Sequence, residues 1–365
     1  MKIIYAFAAV ALAVLPVVAR NDCREFAAAD SAVSYIGRTS VGDDGSVSFD
    51  WAGTYLRTTL TGGKLAASLS NRGETYFNVF VDGKLHRVVN ISDNDTVVEF
   101  VGGIDRRPHE VMIQKRTEGE YGRPTFRKFI LPSKGALEGV KNVPARHIEF
   151  IGNSLTCGYG VEGKSPYEAF RIDTENCNDS YAAMIARYFD ADYTMIAHSG
   201  QGIVRNYGDS VRVSAISMKD RITRTFDTDT VGWDFTTGYR PDIVVINLGS
   251  NDFSTEPNPY RNEFIGAYER MIRTLRDSYG DVPVLCVYST TIMRPVYGYF
   301  EELALRLNDP NVHIFQMHPG ILVNPEDYGA VFHPNRMGQT KLAMELIPAV
   351  SAITKWPVIP AKAIE

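Results

Sequence analysis

The chain has 365 residues, 44% of them apolar and 22% charged. That length exceeds one small core and predicts two domains. A formal net charge of −5, with no run of Lys and Arg, excludes a nucleic-acid-binding surface, because phosphate binding needs concentrated positive charge.

The first twenty residues stand apart. Lys2 supplies a positive start, "IIYAFAAVALAVLPVV" is apolar, and Ala19 with Val17 offers a cleavage point. Residues 1–20 therefore read as a secretory signal peptide, with the mature chain beginning near Arg20 or Asn21 and a secreted or periplasmic destination. Pro16 interrupts a run already short for a membrane anchor. Cys23 raises lipoprotein attachment, but Asn21 and Asp22 stand where such a site wants small residues. No later segment is apolar enough to span a membrane. Export permits disulfides. Of Cys23, Cys157, Cys177 and Cys286, the favoured pair is Cys157 with Cys177, which bracket one loop-like segment. Cys286, within "VPVLCVY", reads as a buried free thiol.

Residues 24–132 carry period-two patterning. "SVSFDW", "YLRTTL", "KLAASLS", "YFNVFV", "LHRVVNI", "TVVEFV", "HEVMIQKRT" and "FRKFIL" each read as a strand. Asp82-Gly83 between two of them is a hairpin signal. About eight strands with short links predict an all-β sandwich of the jelly-roll kind. Residues 133–145, rich in Gly, Pro and Lys, read as a linker.

From residue 146 to 357 the rhythm changes. "HIEFIG", "DYTMIA", "DIVVINLG", "VPVLCVY" and "NVHIF" read as strands. "SYAAMIARYF", with Ser180 as N-cap, "PYRNEFIGAYERMIRTLRDSY" and "NRMGQTKLAMELIPAV" read as helices. Alternation of this kind predicts an open parallel sheet, with its site beyond the carboxyl ends of the strands.

Polar blocks stand at those ends. "IGNSLTCGYG" follows the first strand, "HSGQG" the second and "LGSND" the third, and "FHPN" precedes the closing helix. Ester hydrolysis needs this set of parts. A serine hydroxyl, here Ser154, needs an imidazole to accept its proton. The developing oxyanion needs preorganised donors, and losing one costs about 3 kcal/mol of barrier. Gly200, the Asn251 amide and the N–H of Ser154 itself can supply them. His318 and His198 are rivals to His333, which is preferred because it directly precedes the closing helix with Asn335 as its N-cap. His198 reads as a packing residue or one that supports the site from behind, and Asp252 as a cap or brace for its loop.

The order Gly-Asn-Ser, Ser-Gly, Gly-Ser-Asn-Asp, His-Pro resembles the SGNH hydrolase superfamily. "IGNSLTCGYGVEGKSPYEAFRIDTEN", "SGQGIVRNYG" and "VVINLGSNDF" are similar to carbohydrate esterase family 2, over nearly the whole mature chain. The resemblance implies a jelly roll followed by a flavodoxin-like, three-layer SGNH domain that removes O-acetyl groups from plant cell-wall polysaccharides, acetylated xylan or mannan first. It implies Ser154 as nucleophile, His333 as base, Gly200 and Asn251 with the Ser154 N–H as oxyanion hole, and Phe332 as the sugar-stacking aromatic where the family often has Trp. Tyr159 and Tyr207 are further candidates for the sugar site. It also implies attack on the acetyl of the sugar's primary hydroxyl.

Two positions depart from the superfamily pattern. Asn153 stands where many members have Asp, and an Asn can still hold the turn. Ala330 and Val331 stand where the acid of a triad is expected. Resemblance favours a Ser–His dyad with a backbone carbonyl behind the imidazole; a triad would need Glu326 or Asp327 to fold back. No metal-ligand spacing and no nucleotide fingerprint is present, so no metal or cofactor is implied. Two other readings stay open: an SGNH esterase acting on lipid or sialyl O-acetyl groups, and a non-catalytic carbohydrate-binding protein.

Overall fold

The structure, a computed structural model, describes residues 23–92, 95–288, 296–359 and 362–364. The expected signal peptide lies outside the described residues. The N-terminal half is built from β1 (Cys23–Ala27), β2 (Ser34–Ile36), β3 (Ser40–Val41), β4 (Val47–Ser48), β5 (Tyr55–Thr61) and β6 (Leu65–Gly73), followed by β7 (Thr75–Val81), β8 (Lys84–Ile91), β9 (Thr96–Val101), β10 (His109–Lys115), β11 (Gly122–Pro132) and β12 (Ala136–Glu138). All pair antiparallel in two sheets. One runs β3-β4-β11-β6-β9 with β1 on β11, the other β12-β5-β10-β7-β8 with β2 on β5. Alternation decides which side chains go inward. Leu65, Ala67 and Leu69 of one sheet and Phe77, Val79, Val111 and Ile113 of the other share one buried cluster, so the sheets form a sandwich. Asp82 (φ +50°) and Gly83 (φ +75°) both take left-handed backbone, as a two-residue turn between right-twisting strands requires.

The stretch read as a linker is partly strand. Ala136–Glu138 pairs with Thr59–Thr61 as an edge strand of the sandwich. Three residues are too few to show a period, and the surrounding Gly, Pro and Lys hid them.

The C-terminal half holds a parallel sheet of β13 (Arg146–Gly152), β14 (Ala191–Ala197), β15 (Ile243–Asn247), β16 (Val284–Tyr288) and β17 (Val312–Gln316), in the order β14-β13-β15-β16-β17. This is the flavodoxin-like order. Side chains alternate between two cores. Ile148, Phe150, Ile243 and Val245 meet α2 (Tyr181–Tyr188) and α6 (Arg336–Thr354); Ile151, Val244 and Ile246 meet α4 (Arg261–Tyr279) and α5 (Tyr297–Leu307). Burial on both faces explains why β15 reads as a continuous apolar run. In α4, Phe264, Tyr268, Met271, Ile272 and Leu275 recur at helical spacing and face inward, and Gly280 ends the helix at φ +68°. Helix α5 was not anticipated, because its sequence "YGYFEELALRL" opens without a capping residue. Two short helices, α1 (Ser154–Cys157) and α3 (Met218–Arg221), complete the set used below.

The two halves are packed, not tethered. Trp51 and Tyr55 of the sandwich enter the cores of the α/β half. Glu149, the single charge inside the apolar run of β13, accepts from Tyr239 Oη at 2.5 Å and Tyr279 Oη at 3.0 Å and pairs with Arg38 of the sandwich at 3.5 Å. Arg38 also donates to the Ile222 and Arg224 carbonyls. Arg57 pairs with Asp192 at 2.8 Å.

The cysteine reading is corrected. Cys157 and Cys177 are both free and buried. The Cys157 thiol lies 3.5 Å from Glu118 Oε2, and the Cys177 thiol 3.4 Å from the Lys115 carbonyl oxygen. Each is engaged by the sandwich rather than by the other, a partnership that sequence spacing within one loop does not reveal. Cys286 is a buried free thiol, as expected.

Candidate active site

The strand ends bring the polar blocks together. Beyond β13 the chain turns at Asn153, whose Oδ1 accepts the Leu155 N–H at 3.3 Å and whose Nδ2 donates to Ser250 Oγ at 3.1 Å. That places Ser154 as the first residue of α1. The helix is held by Gln339 of α6, which donates to the Leu155 carbonyl at 3.0 Å and accepts the Tyr181 N–H at 2.9 Å.

His333 meets Ser154. Its Nε2 lies 2.9 Å from Ser154 Oγ, and its Nδ1 lies 2.9 Å from the Val331 carbonyl oxygen. A carbonyl can only accept, so Nδ1 carries the hydrogen and Nε2 is left as acceptor for the serine hydroxyl. The preceding turn makes this possible. Val331 (φ +52°) and Phe332 (φ +54°) both adopt left-handed backbone, which throws the Val331 carbonyl back toward the ring. The turn is strapped to the loop after α1 by Ala330 N–H to Gly160, Val331 N–H to Glu168 and Phe332 N–H to Pro166. Burial lowers the His333 pKa, against the opposing pull of its backbone acceptors, so the ring is neutral at neutral pH. Asn335 caps α6 by accepting from Met337 and Gly338.

Neither carboxyl proposed for a triad reaches His333. Asp327 is buried and pairs with Lys341 at 2.7 Å, while Glu326 offers its backbone carbonyl to Asn335. His318 lies in an exposed loop, its Nδ1 accepting from Gly320.

The groups expected to meet an oxyanion lie on the loops that follow β13, β14 and β15. Among the described residues, the N–H groups of Ser154 and Gly200 donate to no protein acceptor. Gly200 has φ +76° and open space where a side chain would stand. Asn251 Nδ2 donates to the Gln201 carbonyl at 2.8 Å, which uses one of its two hydrogens. Asp252 braces the loop between them, accepting the N–H groups of Ile203, Val204 and Arg205.

Three aromatics were named for the sugar site. Tyr159 stacks on Phe170 at 3.8 Å between centroids and lies 4.6 Å from the His333 ring. Phe332 is 57% exposed and edge-on to Tyr167. Tyr207 is 64% exposed, tied by its N–H to the Gly200 carbonyl at 2.8 Å, and its ring packs on no other ring among the described residues. Phe170 and Tyr167 were not anticipated. Tyr121 of the sandwich extends the row by stacking on Phe170 at 5.7 Å.

Family models match both halves: a carbohydrate esterase 2 N-terminal model over residues 35–138, and a GDSL-like lipase/acylhydrolase model over residues 150–341. A solved family two carbohydrate esterase from Clostridium thermocellum, in complex with cellohexaose, superposes with a TM-score of 0.81 at 30% identity, over 89% of this chain and 100% of that one. The chain belongs to carbohydrate esterase family 2. It is a serine carboxylic ester hydrolase. The cellulase/esterase CelE of Acetivibrio thermocellus is 35% identical over 254 residues, which are 70% of this chain and 30% of that longer protein. An acetylxylan esterase / glucomannan deacetylase of Cellvibrio japonicus is 25% identical over 92% of this chain and 93% of its own length.

In this family 2 esterase the sandwich reaches under the site. His198, between β14 and Gly200, is buried between Asp227 (Nδ1 to Oδ2, 2.7 Å) and Glu120 (Nε2 to Oε2, 3.2 Å). Burial alone would lower its pKa, but the two carboxylates outweigh that and raise it to about 10, so it is an imidazolium. Of the two roles expected from sequence, this is support of the site from behind, through ion pairs rather than packing alone. Glu118 Oε2 accepts the Ser199 N–H at 2.6 Å. The segment "RTEGEYG" gave one usable signal, two acids and a Tyr crowded between strands, and that signal is too common to single them out.

Proposed function

We propose that this chain is a carbohydrate O-acetylesterase working by a Ser154–His333 acyl-enzyme mechanism. The observation that carries the reading is the 2.9 Å contact of Ser154 Oγ with the unprotonated Nε2 of His333. His333 takes the hydroxyl proton as Ser154 Oγ attacks the acetyl carbonyl carbon. The N–H groups of Ser154 and Gly200 and the free hydrogen of Asn251 Nδ2 meet the oxyanion. Collapse breaks the bond to the sugar oxygen, which takes the proton back from His333. Water, deprotonated by the same imidazole, then attacks the acyl carbon; the bond to Ser154 Oγ breaks, that oxygen takes the proton back from His333, and acetate leaves.

The substrate class rests on the relatives. Acetylated xylan and glucomannan are named for the Cellvibrio japonicus protein, and the solved relative carries a glucan oligosaccharide. Phe332, Tyr159 and Tyr207 supply the sugar-facing surface in this reading, and the acetyl on the primary hydroxyl is the preferred target. Export through residues 1–20 would place the enzyme with such polymers; no helix among the described residues is long and apolar enough to cross a membrane.

Incubation with acetylated xylan and acetylated glucomannan, with released acetate measured beside an aryl acetate control, tests the proposal. Acetate from a polysaccharide supports it. Cleavage of the aryl ester alone keeps the chemistry and rejects the polymer.

A further inference from the structure

The Glu118 carboxyl is fully buried, yet it belongs to the sandwich and not to the hydrolase half. One oxygen, Oε2, is engaged entirely by the catalytic loops: the Ser199 N–H at 2.6 Å and the Cys157 thiol of α1 at 3.5 Å. Ser199 precedes Gly200, and Cys157 ends the helix that Ser154 begins. The other oxygen, Oε1, is buried without a donor, and so is Oε2 of the equally buried Glu175. Glu175 lies against Glu118, accepting its N–H at 2.6 Å and making side-chain contact with it. One proton shared between the two touching carboxyls would give a buried oxygen of each its partner. Burial raises the pKa of both carboxyls, and Glu175 goes well above the ordinary value; on Glu118 the His198 imidazolium and the Ser199 N–H oppose the rise, so Glu175 is the one that takes the proton more readily.

We propose that Glu118 is a positioning residue for ester hydrolysis: an ionised carboxylate, supported by protonated Glu175, that ties the Ser199–Gly200 segment to α1 and so fixes the oxyanion donors relative to Ser154. The inference rests on the Ser154–Gly200 reading of the site. It also gives the sandwich a part in catalysis that involves no contact with substrate. A glutamine at 175 reproduces the donor that protonated Glu175 supplies. A glutamine at 118 has no charge and turns its amide into the pair, leaving Glu175 to ionise in the interior.

The test is steady-state kinetics on an aryl acetate and on acetylated glucomannan for wild type, Ser154→Ala, Glu118→Gln, Glu118→Asp and Glu175→Gln. The expected result is that Glu118→Gln loses about tenfold or more in kcat on both substrates with KM within about twofold, because transition-state stabilisation is lost and binding is not. Glu175→Gln stays within about threefold of wild type. If Glu118→Gln does not fold, Glu118→Asp decides, since it keeps the charge but withdraws it from Ser199; a kcat loss at held KM supports the proposal. Wild-type kcat in a folded Glu118 variant overturns it, as does a loss confined to KM. Inactivity of the wild type, or full activity of Ser154→Ala, would instead reject the underlying reading of the site.

Discussion

The imidazole Nδ1 of His333 donates to the backbone carbonyl of Val331, two residues earlier, at 2.9 Å. A carbonyl in that place fixes ring orientation and tautomer as a carboxylate would, without adding a negative charge. Replacing Glu326, the exposed candidate for a third acid, therefore has little effect. Glu326→Gln is expected to leave kcat/KM within about twofold of wild type. A loss beyond tenfold would show an acid acting through some other conformation.

The pH profile follows from burial. His333 has a pKa below its ordinary value of 6.5, so its base form persists as pH falls through 6.5. The acid limb of kcat/KM, which reports the free enzyme, is expected below pH 6.5. An acid limb above pH 6.5 would mean that the imidazolium is favoured in the site.

His198 makes stability depend on pH with the opposite sign. Its folded pKa of about 10 lies above the unfolded value near 6.5, so the folded state holds the proton more tightly. The contribution is complete below about pH 6.5 and is lost as pH rises toward 10. His198→Ala, which leaves Asp227 with Arg221 as its cation and takes the partner from Glu120, is expected to cost about 3 kcal/mol. Denaturant unfolding at pH 6 and at pH 9.5 checks both points: the variant's deficit should shrink at the higher pH.

The packed halves make a further prediction. Arg38 is buried against Glu149, Trp233 and Phe235 and donates to two carbonyls across the domain boundary. Arg38→Ala leaves Glu149 with uncompensated charge and should cost about 3–5 kcal/mol. Thermal unfolding should stay a single transition in the wild type. Two separated transitions would contradict one cooperative unit.

Phe332 tests the sugar surface. Its ring is exposed at the site mouth. Phe332→Ala should raise KM for acetylated glucomannan several-fold, about 1 kcal/mol, while KM for an aryl acetate changes little. Equal effects on both substrates would place Phe332 in loop integrity instead.

What made Ser154, Gly200 and Asn251 candidates in sequence was their place just after β13, β14 and β15, whose parallel order sends those ends to one edge; His333 was a candidate through its place before α6 and the family resemblance. Val331 could not be recognised as a partner, since its contribution is a backbone carbonyl turned by left-handed φ values. Glu118 bonds Ser199 across 81 positions, and no local pattern records that pairing. The same long-range packing misled the cysteine reading: Cys157 and Cys177 look like neighbours along the chain, but each thiol faces the sandwich. Helix α5 and the edge strand β12 were missed for local reasons, one lacking a cap signal and the other too short for a period.

The most direct test is acetate release from acetylated glucomannan by wild type and Ser154→Ala at equal concentration, with folding of both checked by circular dichroism. Release by the wild type, and a drop of about a thousandfold or more in the variant, is the predicted result. Comparable release by both proteins would contradict the assignment of Ser154 and with it the dyad.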